Sequence, residues 1–319
     1  MIDLTPYRTD NHVHLISPPQ SFEGGEEQYD LAIGGQDALH SGHGAWQLAA
    51  RHATRPIESL LEVGAGGGTC SLGLVDAAGT AELLITDTSP AFLQIIRRKL
   101  AAQGVDPART RFATLAGEDL GRLPPASLDA VVIASALHHV TDWRAFLADA
   151  AAVLRPGGVL VIQEPCREGN LMMGLALDVV LSPLWPAAAA LSHEDNDRID
   201  RCRDSIYFLA NSHIAKVGED KHSFLVSELA TAASTVGFTG SVFYANAHFA
   251  DLADTDLSLR HGACSIVGYM DSFLEMHHRV SADGMEKLRT HLFPVLAKLD
   301  RAFVDGDGAP LFGCMVFCR

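Results

Sequence analysis

Leu60–Gly68 reads Leu-Leu-Glu-Val-Gly-Ala-Gly-Gly-Gly, and the reading of this stretch decides the fold. Ser59–Val63 is a short apolar run that breaks off into glycines, as a buried strand does where it enters a tight turn. Thr69–Ala78 then reads as a helix. Across the turn the pattern is Glu62-x-Gly64-x-Gly66-x-Gly68. Glycines there let the backbone bend sharply and let a ligand approach with no side chain in the way. In open parallel sheets, ligands bind in the crevice at the carboxyl ends of the strands. A dinucleotide fingerprint, G-x-G-x-x-G, seats a pyrophosphate on a helix N-terminus. Counted from Gly64 it needs glycine where the chain has Thr69; counted from Gly66 it needs glycine where the chain has Ser71. Glu62, inside the motif, also suits an ammonium better than a pyrophosphate.

Working outward, strands and helices alternate. Gln36 to about Ala53 is helical in pattern and stops before Pro56, because proline restricts its predecessor. Glu82–Thr86 is a second strand. Ser89 reads as an N-cap with Pro90 in the first helical position, and this helix runs to Gly104. Arg111–Leu115 is a third strand, and Leu128–Ala134 a fourth, unbroken in its apolar run and so covered on both faces. Thr141 is expected to cap the next helix, which ends at Arg155-Pro156-Gly157-Gly158 before a fifth strand at Val159–Gln163. Strands separated by helices imply right-handed crossovers and a parallel sheet. The rhythm then breaks. Residues 166–220 show no clear strand, Ser223–Val236 is a helix stopped by Gly237, and Gly240–Ala245 is a sixth strand. A helical insertion over roughly 250–305 precedes a last strand at Leu311–Cys318, while residues 1–35 read as irregular.

Composition bounds the partners. The chain has 319 residues, and 24 Lys+Arg against 39 Asp+Glu give a net charge of -15, which repels phosphate backbones and argues against nucleic acid. The longest basic run, Arg97–Lys99, lies near a helix end and complements the helix dipole there. The opening MIDLTPYRTDNHVHL is polar, so no signal peptide is expected. Leu171–Leu191 is broken by Asp178, Pro183 and Pro186, so no membrane span is expected. Six scattered cysteines with no CxxC pair point to the cytoplasm and away from a zinc site or disulfide framework.

Several segments, in order, resemble the class I S-adenosylmethionine-dependent methyltransferase family. Glu62–Gly68 resembles its motif I. Asp87 matches the acidic residue that binds the ribose hydroxyls, and a carboxylate accepts two hydroxyl hydrogen bonds well. Ala116–Asp119 resembles the loop whose acidic residue meets the adenine amino group, with Glu118 and Asp119 both fitting. Leu128–Val132 through Ala136-Leu137-His138-His139-Val140 looks like the strand-four motif, and Leu154–Gly158 is similar to the turn before strand five. Pro310–Arg319 fits the family's antiparallel last strand. The likeness is close over about 45–165, looser over 222–246 and 310–319, and leaves the insertions uncovered. It implies an α/β fold: a mostly parallel, doubly wound Rossmann-like sheet with an antiparallel last strand and helical cap insertions. The core would comprise 45–165, 222–246 and 310–319, the cap 166–221 and 247–309, and residues 1–44 an arm or lid. The implied cofactor is S-adenosyl-L-methionine, held by Glu62, Gly64, Ala65, Gly66, Gly68, Asp87, Thr88, Gly117, Glu118, Asp119 and Ser135.

His138 and His139 follow strand four on the cofactor side. Either fits a general base, with His139 favoured, since imidazole titrates near neutrality; the plainer reading is packing against the cofactor and a local hydrogen bond. His12-x-His14, His40-x-x-His43 and His277-His278 lack the second pair and carboxylate of a metal site, so no metal is expected. Tyr29, before the glycine-rich Gly34–Gly44 segment, and His40 and His43 within it fit either a lid over the pocket or a glycine-broken helix start. Asn170, Tyr207, Asn211 and His213 are substrate-contact candidates in the first insertion, or else one polar face of it. Three functions fit these residues: methyl transfer to a small molecule; transfer or cyclisation of the cofactor's aminocarboxypropyl arm, releasing methylthioadenosine; and cofactor binding without chemistry. A homodimer is left open.

Overall fold

The computed structural model describes residues 2–22, 25–33, 38–105, 110–182, 191–210, 222–245, 249, 270–271, 274–275, 278–294, 296–298 and 312–319. Among them the strands are β1 (Thr9–Asp10), β2 (Val13–Leu15), β3 (Ser59–Val63), β4 (Glu82–Asp87), β5 (Thr110–Thr114), β6 (Leu128–Ala134), β7 (Leu154–Pro165), β8 (Gly240–Ala245) and β9 (Phe312–Cys318). The principal helices are α1 (Glu26–Ile33), α2 (Ala38–His52), α3 (Ser71–Ala77), α4 (Pro90–Ala102), α5 (Trp143–Val153), α6 (Arg167–Leu181), α7 (His193–Ala210), α8 (Val226–Thr235) and α9 (Ala282–His291). The strands form one sheet in the order β1-β2-β5-β4-β3-β6-β7-β9-β8. β2, β5, β4, β3, β6 and β7 run parallel to one another, β1 is antiparallel to β2, and β9 lies antiparallel between β7 and β8. The order reverses between β3 and β6, so the glycine loop opens at the switch point where such sheets bind ligands.

The central strands are apolar throughout because successive side chains point to opposite faces and both faces are covered. Leu61, Val131, Ile133, Leu160 and Ile162 pack with Phe146 and Leu147 of α5. Leu60, Val132, Val159 and Val161 pack on the other face with Leu48 of α2, Leu74 of α3 and Leu93 and Ile96 of α4. A third cluster is separate: Met173 and Leu177 of α6, Ile199 and Ile206 of α7, and Met285 and Leu288 of α9.

Four local readings change. The N-terminal residues are not irregular. Asp10 and Val13 pair across a two-residue turn in which Asn11 (φ 45°) and His12 (φ 67°) take the left-handed conformation of tight hairpins, and β2 joins the edge of β5. Strands of two and three residues carry too little periodicity to be read. α5 is capped by Asp142 and not Thr141: Asp142 Oδ1 accepts from Ala145 N (3.0 Å), while Thr141 N donates to Glu118 Oε1 (2.7 Å). β7 begins at Leu154, so Arg155–Gly158 form an irregularity inside the strand. There Arg155 reaches the buried Asp129 of β6 at 3.0 Å, and Asp129 also accepts from the N–H groups of Glu58 and Ser59. α8 starts at Val226 because Phe224 bridges to Cys166.

α2 crosses α3 with backbone against backbone. A Cβ on Gly73 would strike Leu39 O and Gly42 Cα, and one on Gly42 would strike Cys70 O and Leu74 N. Helix propensity alone predicts that Gly73→Ala stabilises by about 1 kcal/mol. The contact reverses that sign: a loss of about 1–3 kcal/mol is expected for a side chain with no room, read as a fall of a few degrees in Tm by scanning calorimetry. A raised Tm would contradict the crossing.

Candidate active site

The loop after β3 is built by its own backbone. Ala65 N donates to Thr86 O and Gly68 N to Ala65 O, each at 2.9 Å. Gly64 (φ +69°) and Gly66 (φ +50°) lie in the left-handed region that side chains disfavour. A Cβ on Gly64 would come within 2.5 Å of Ala136 Cβ, so the loop abuts the chain leaving β6. A Cβ on Gly66 would meet only Tyr29, at 3.9 Å, so the space above that backbone is open. Asp87, at the end of β4, fixes the loop: Oδ2 accepts from Gly66 N and Oδ1 from Ser89 N, both at 2.8 Å. Burial pushes the Asp87 carboxyl above its ordinary value, with the bonds from Ser89, Gly66 and Thr88 opposing and the charge of Glu26 adding.

A cleft of about 780 Å³ opens above this loop at the carboxyl ends of β3, β4, β5 and β6. It gathers Gly64, Gly66, Asp87, Thr88, Gly117, Glu118, Asp119, Ser135, His139 and Tyr29 from the expected set. Ser135 has φ +51°, a strained conformation of the kind that collects at functional sites. Glu118 Oε1 holds Thr141 N, and Asp119 is held by Ser17 Oγ (2.6 Å) and Arg122 Nε (2.9 Å). Both acids therefore face the cleft already oriented, and neither is singled out.

Other expected residues are placed elsewhere. Ala65 and Gly68 shape the loop and do not line the cleft; Gly68 lies against Ile96 of α4. Glu62 is 2% exposed and accepts from Ser71 Oγ at 2.6 Å. His138 does not line the cleft either; its Nδ1 donates to Glu164 Oε2 at 2.7 Å. His43 pairs with Asp76 between α2 and α3. Asn170 is buried on Ser223 Oγ, linking α6 to the segment before α8, and the Tyr207 hydroxyl donates to Asp178 between α7 and α6; neither residue lines the cleft. Asn211 and His213 lie outside the described residues.

Sequence reasoning missed the N-terminal wall. Gln20, Ser21 and Phe22 line the cleft. Phe22, Tyr29 and Phe92 pack as a trio with ring centroids 5.0–5.6 Å apart. Arg98 and Lys99 pair with Glu27 and Asp30 of α1, and Lys99 Nζ also donates to Gly67 O at 2.8 Å. The basic run thus clasps an acidic helix, a complement visible in the Glu26–Asp30 composition though not its address.

The residues present fit S-adenosylmethionine. The open backbone over Gly66 leaves room for its methionine part, Asp87 offers a carboxylate to ribose hydroxyls, and the lining carboxylates suit its positive charge. Among the described residues no group of His, Cys, Asp and Glu is arranged to hold a metal, and no helix is long and apolar enough to cross a membrane. Burial pushes the Glu62 carboxyl up to about 7, the bond from Ser71 opposing and the charge of Asp87 adding. A carboxyl whose folded value is raised stabilises fully below its unfolded value, near 4.5, and that contribution is lost as pH rises to about 7. Glu62→Gln escapes the loss. Its stability relative to wild type should therefore climb by about 1–3 kcal/mol between pH 5 and 8 in urea unfolding; a pH-independent difference would place Glu62 in a wetter site.

A methyltransferase-domain family model matches residues 61–160, from β3 into β7. The chain is 29% identical over 163 residues to a demethylmenaquinone methyltransferase of Clavibacter sepedonicus, covering 50% of this chain and 64% of that one. It is 26% identical over 202 residues to the ubiquinone/menaquinone biosynthesis C-methyltransferase UbiE of Marinomonas sp., covering 62% and 78%. The chain thus spans somewhat less than two thirds of the first relative and about three quarters of the second. In fold it is similar to a candidate sarcosine dimethylglycine methyltransferase from Galdieria sulphuraria, with TM-score 0.52, 15% identity and 92% and 97% coverage. The matched segment carries the glycine loop, Asp87, Ser135 and His139, so residues 61–160 are similar to a methyltransferase domain on a Rossmann-like fold.

Proposed function

We propose that this chain moves the sulfonium methyl of S-adenosylmethionine to a small-molecule acceptor, with His139 taking the proton that the acceptor gives up. The observation that carries the reading is one cleft joining the Gly64–Gly66 backbone and Asp87 on one wall to Ser135 and His139 on the other. When bound, S-adenosylmethionine supplies an electrophilic methyl whose departure leaves a neutral thioether. The chain's own task is then positioning and exclusion of water rather than stabilisation of an oxyanion. Asp87 and Thr88 hold the ribose side, Gly117, Glu118 and Asp119 face the adenine side, and Tyr29 and Phe22 close the N-terminal wall. Tyr29 stands 3.9 Å from where a Gly66 side chain would begin, which favours a contact to the cofactor over one to the acceptor. A ring nitrogen of His139 accepts the acceptor's proton.

The relatives' names favour an acceptor methylated at carbon in a biosynthetic pathway. Asp87, Glu118 and Asp119 around the cleft disfavour a phosphate or a nucleic acid. The apolar cluster shared by α6, α7 and α9 supports reading 166–221 and 247–309 as one helical cap on the Rossmann-like core. Cys70, Cys166, Cys202, Cys314 and Cys318 are free thiols, which suits the reducing cytoplasm.

Titration calorimetry with S-adenosylmethionine tests the binding half. Wild type should bind, and Asp87→Ala should bind about ten- to a hundredfold more weakly, as for a lost hydrogen bond to a charged group; a wild type that binds nothing would sink the reading. Mass spectrometry over a panel of quinol and phenol acceptors tests the chemistry. S-adenosylhomocysteine should form, and His139→Ala should slow it about a hundredfold while keeping its calorimetric affinity. Methylthioadenosine formed without any acceptor would overturn methyl transfer.

A further inference from the structure

The turn after β6 is held by one buried carboxylate that lies on another strand. Glu164, next to last in β7, has a side chain that is 0% exposed. Its Oε1 accepts from the N–H groups of Ala136 (2.9 Å) and Leu137 (2.6 Å), and its Oε2 accepts from His138 Nδ1 (2.7 Å). Ser135 N donates to Gln163 O at 2.8 Å, so the chain leaves the β6–β7 ladder at Ser135 and at once falls into the reach of Glu164. The turn then closes on itself, with His139 N on Ala136 O (3.1 Å) and Val140 N on Leu137 O (3.0 Å). The rings of His138 and His139 stand 4.1 Å apart at 45°. This turn lines the cleft with Ser135, Ala136, His139 and Val140, and Ser135 and His139 bring the polar side chains.

An ionised carboxylate taken out of water costs several kcal/mol unless strong hydrogen bonds replace its hydration. Three donors, one of them an imidazole that can carry charge, do so here. The arrangement fixes more than the backbone. A carboxylate only accepts, so His138 carries a proton on Nδ1. We infer that Glu164 is a positioning residue of the methyl-transfer site: it sets the backbone of the β6 turn and the tautomer of His138, and through both it fixes where Ser135 and His139 stand in the cleft. This rests on the reading of His139 as the residue that takes the acceptor's proton.

Glu164→Gln separates this role from plain packing, because it keeps shape and removes the charge. The glutamine oxygen can still serve Ala136 and Leu137, but its NH₂ then faces His138 Nδ1, which must turn acceptor. Nitrogen-15 histidine NMR on the full chain at pH 8 reads the outcome directly. Wild type should show His138 protonated at Nδ1. Glu164→Gln should move that proton to Nε2 and shift the His139 ring resonances, both with and without S-adenosylhomocysteine. Unchanged tautomer and unchanged His139 signals in a folded variant would overturn the inference. Should Glu164→Gln fail to fold, His138→Asn in its place keeps Glu164 and both backbone bonds; His139 signals unmoved there would overturn it equally. His139→Ala retaining full methyl transfer would instead remove the role of His139 and leave the tautomer result standing, so the two failures are told apart.

Discussion

The carboxylate of Asp87 joins the glycine loop to the start of α4. One oxygen takes the N–H of Gly66 in the glycine loop, and the other takes the N–H of Ser89, which caps α4. The loop, the end of β4 and the start of α4 are thereby one rigid corner. The site depends on it, because Gly66 must keep a left-handed backbone with open space above it while α4 carries Phe92 into the cleft wall. Burial raises the carboxyl because its charged form is poorly solvated there, and hydroxyl donors from a ligand would favour that form.

The second wall is built around the same corner from a distance. Lys99 of α4 joins Asp30 of α1 to Gly67 O of the loop, and Ser89 Oγ donates to Glu26 Oε1 at 2.7 Å. α1 is thus fastened to both ends of the Asp87 corner, and Tyr29 stands over Gly66 as a consequence. On the far side, Glu164 plays a comparable part for the β6 turn. Buried acids organise the cleft from both sides: Asp87 holds the glycine loop, and Glu164 holds the turn after β6.

The sheet was legible because its information is local. β3, β6 and β8 are unbroken runs flanked by turn residues, and β6 falls at the expected residues, Leu128–Ala134. Part of the cleft lining was legible for the same reason: Gly64, Gly66, Asp87 and Ser135 sit at strand ends that the alternation locates. What escaped depends on partners distant in sequence. The β1–β2 hairpin is too short to show a period, and its stability comes from the β5 edge about a hundred residues away in sequence. Glu164 gave no local sign, since its three donors come from residues 136–138. Gly42 looked like a break at a helix start, whereas it lies inside α2 where α3 allows no side chain. Asn170 and Tyr207 looked like substrate contacts, whereas they bond Ser223 and Asp178 and do not line the cleft, and helical periodicity does not say which polar face meets a ligand.

The central claim is that the Asp87 corner receives the cofactor and the Ser135–His139 turn faces its reactive end. A crystal structure of the full chain with S-adenosylhomocysteine tests this most directly. The account predicts the ribose hydroxyls within hydrogen-bond distance of Asp87, the homocysteine part along the Gly64–Gly66 backbone, and the sulfur turned toward His139. Density for the ligand elsewhere, or a ribose with no contact to Asp87, would contradict it.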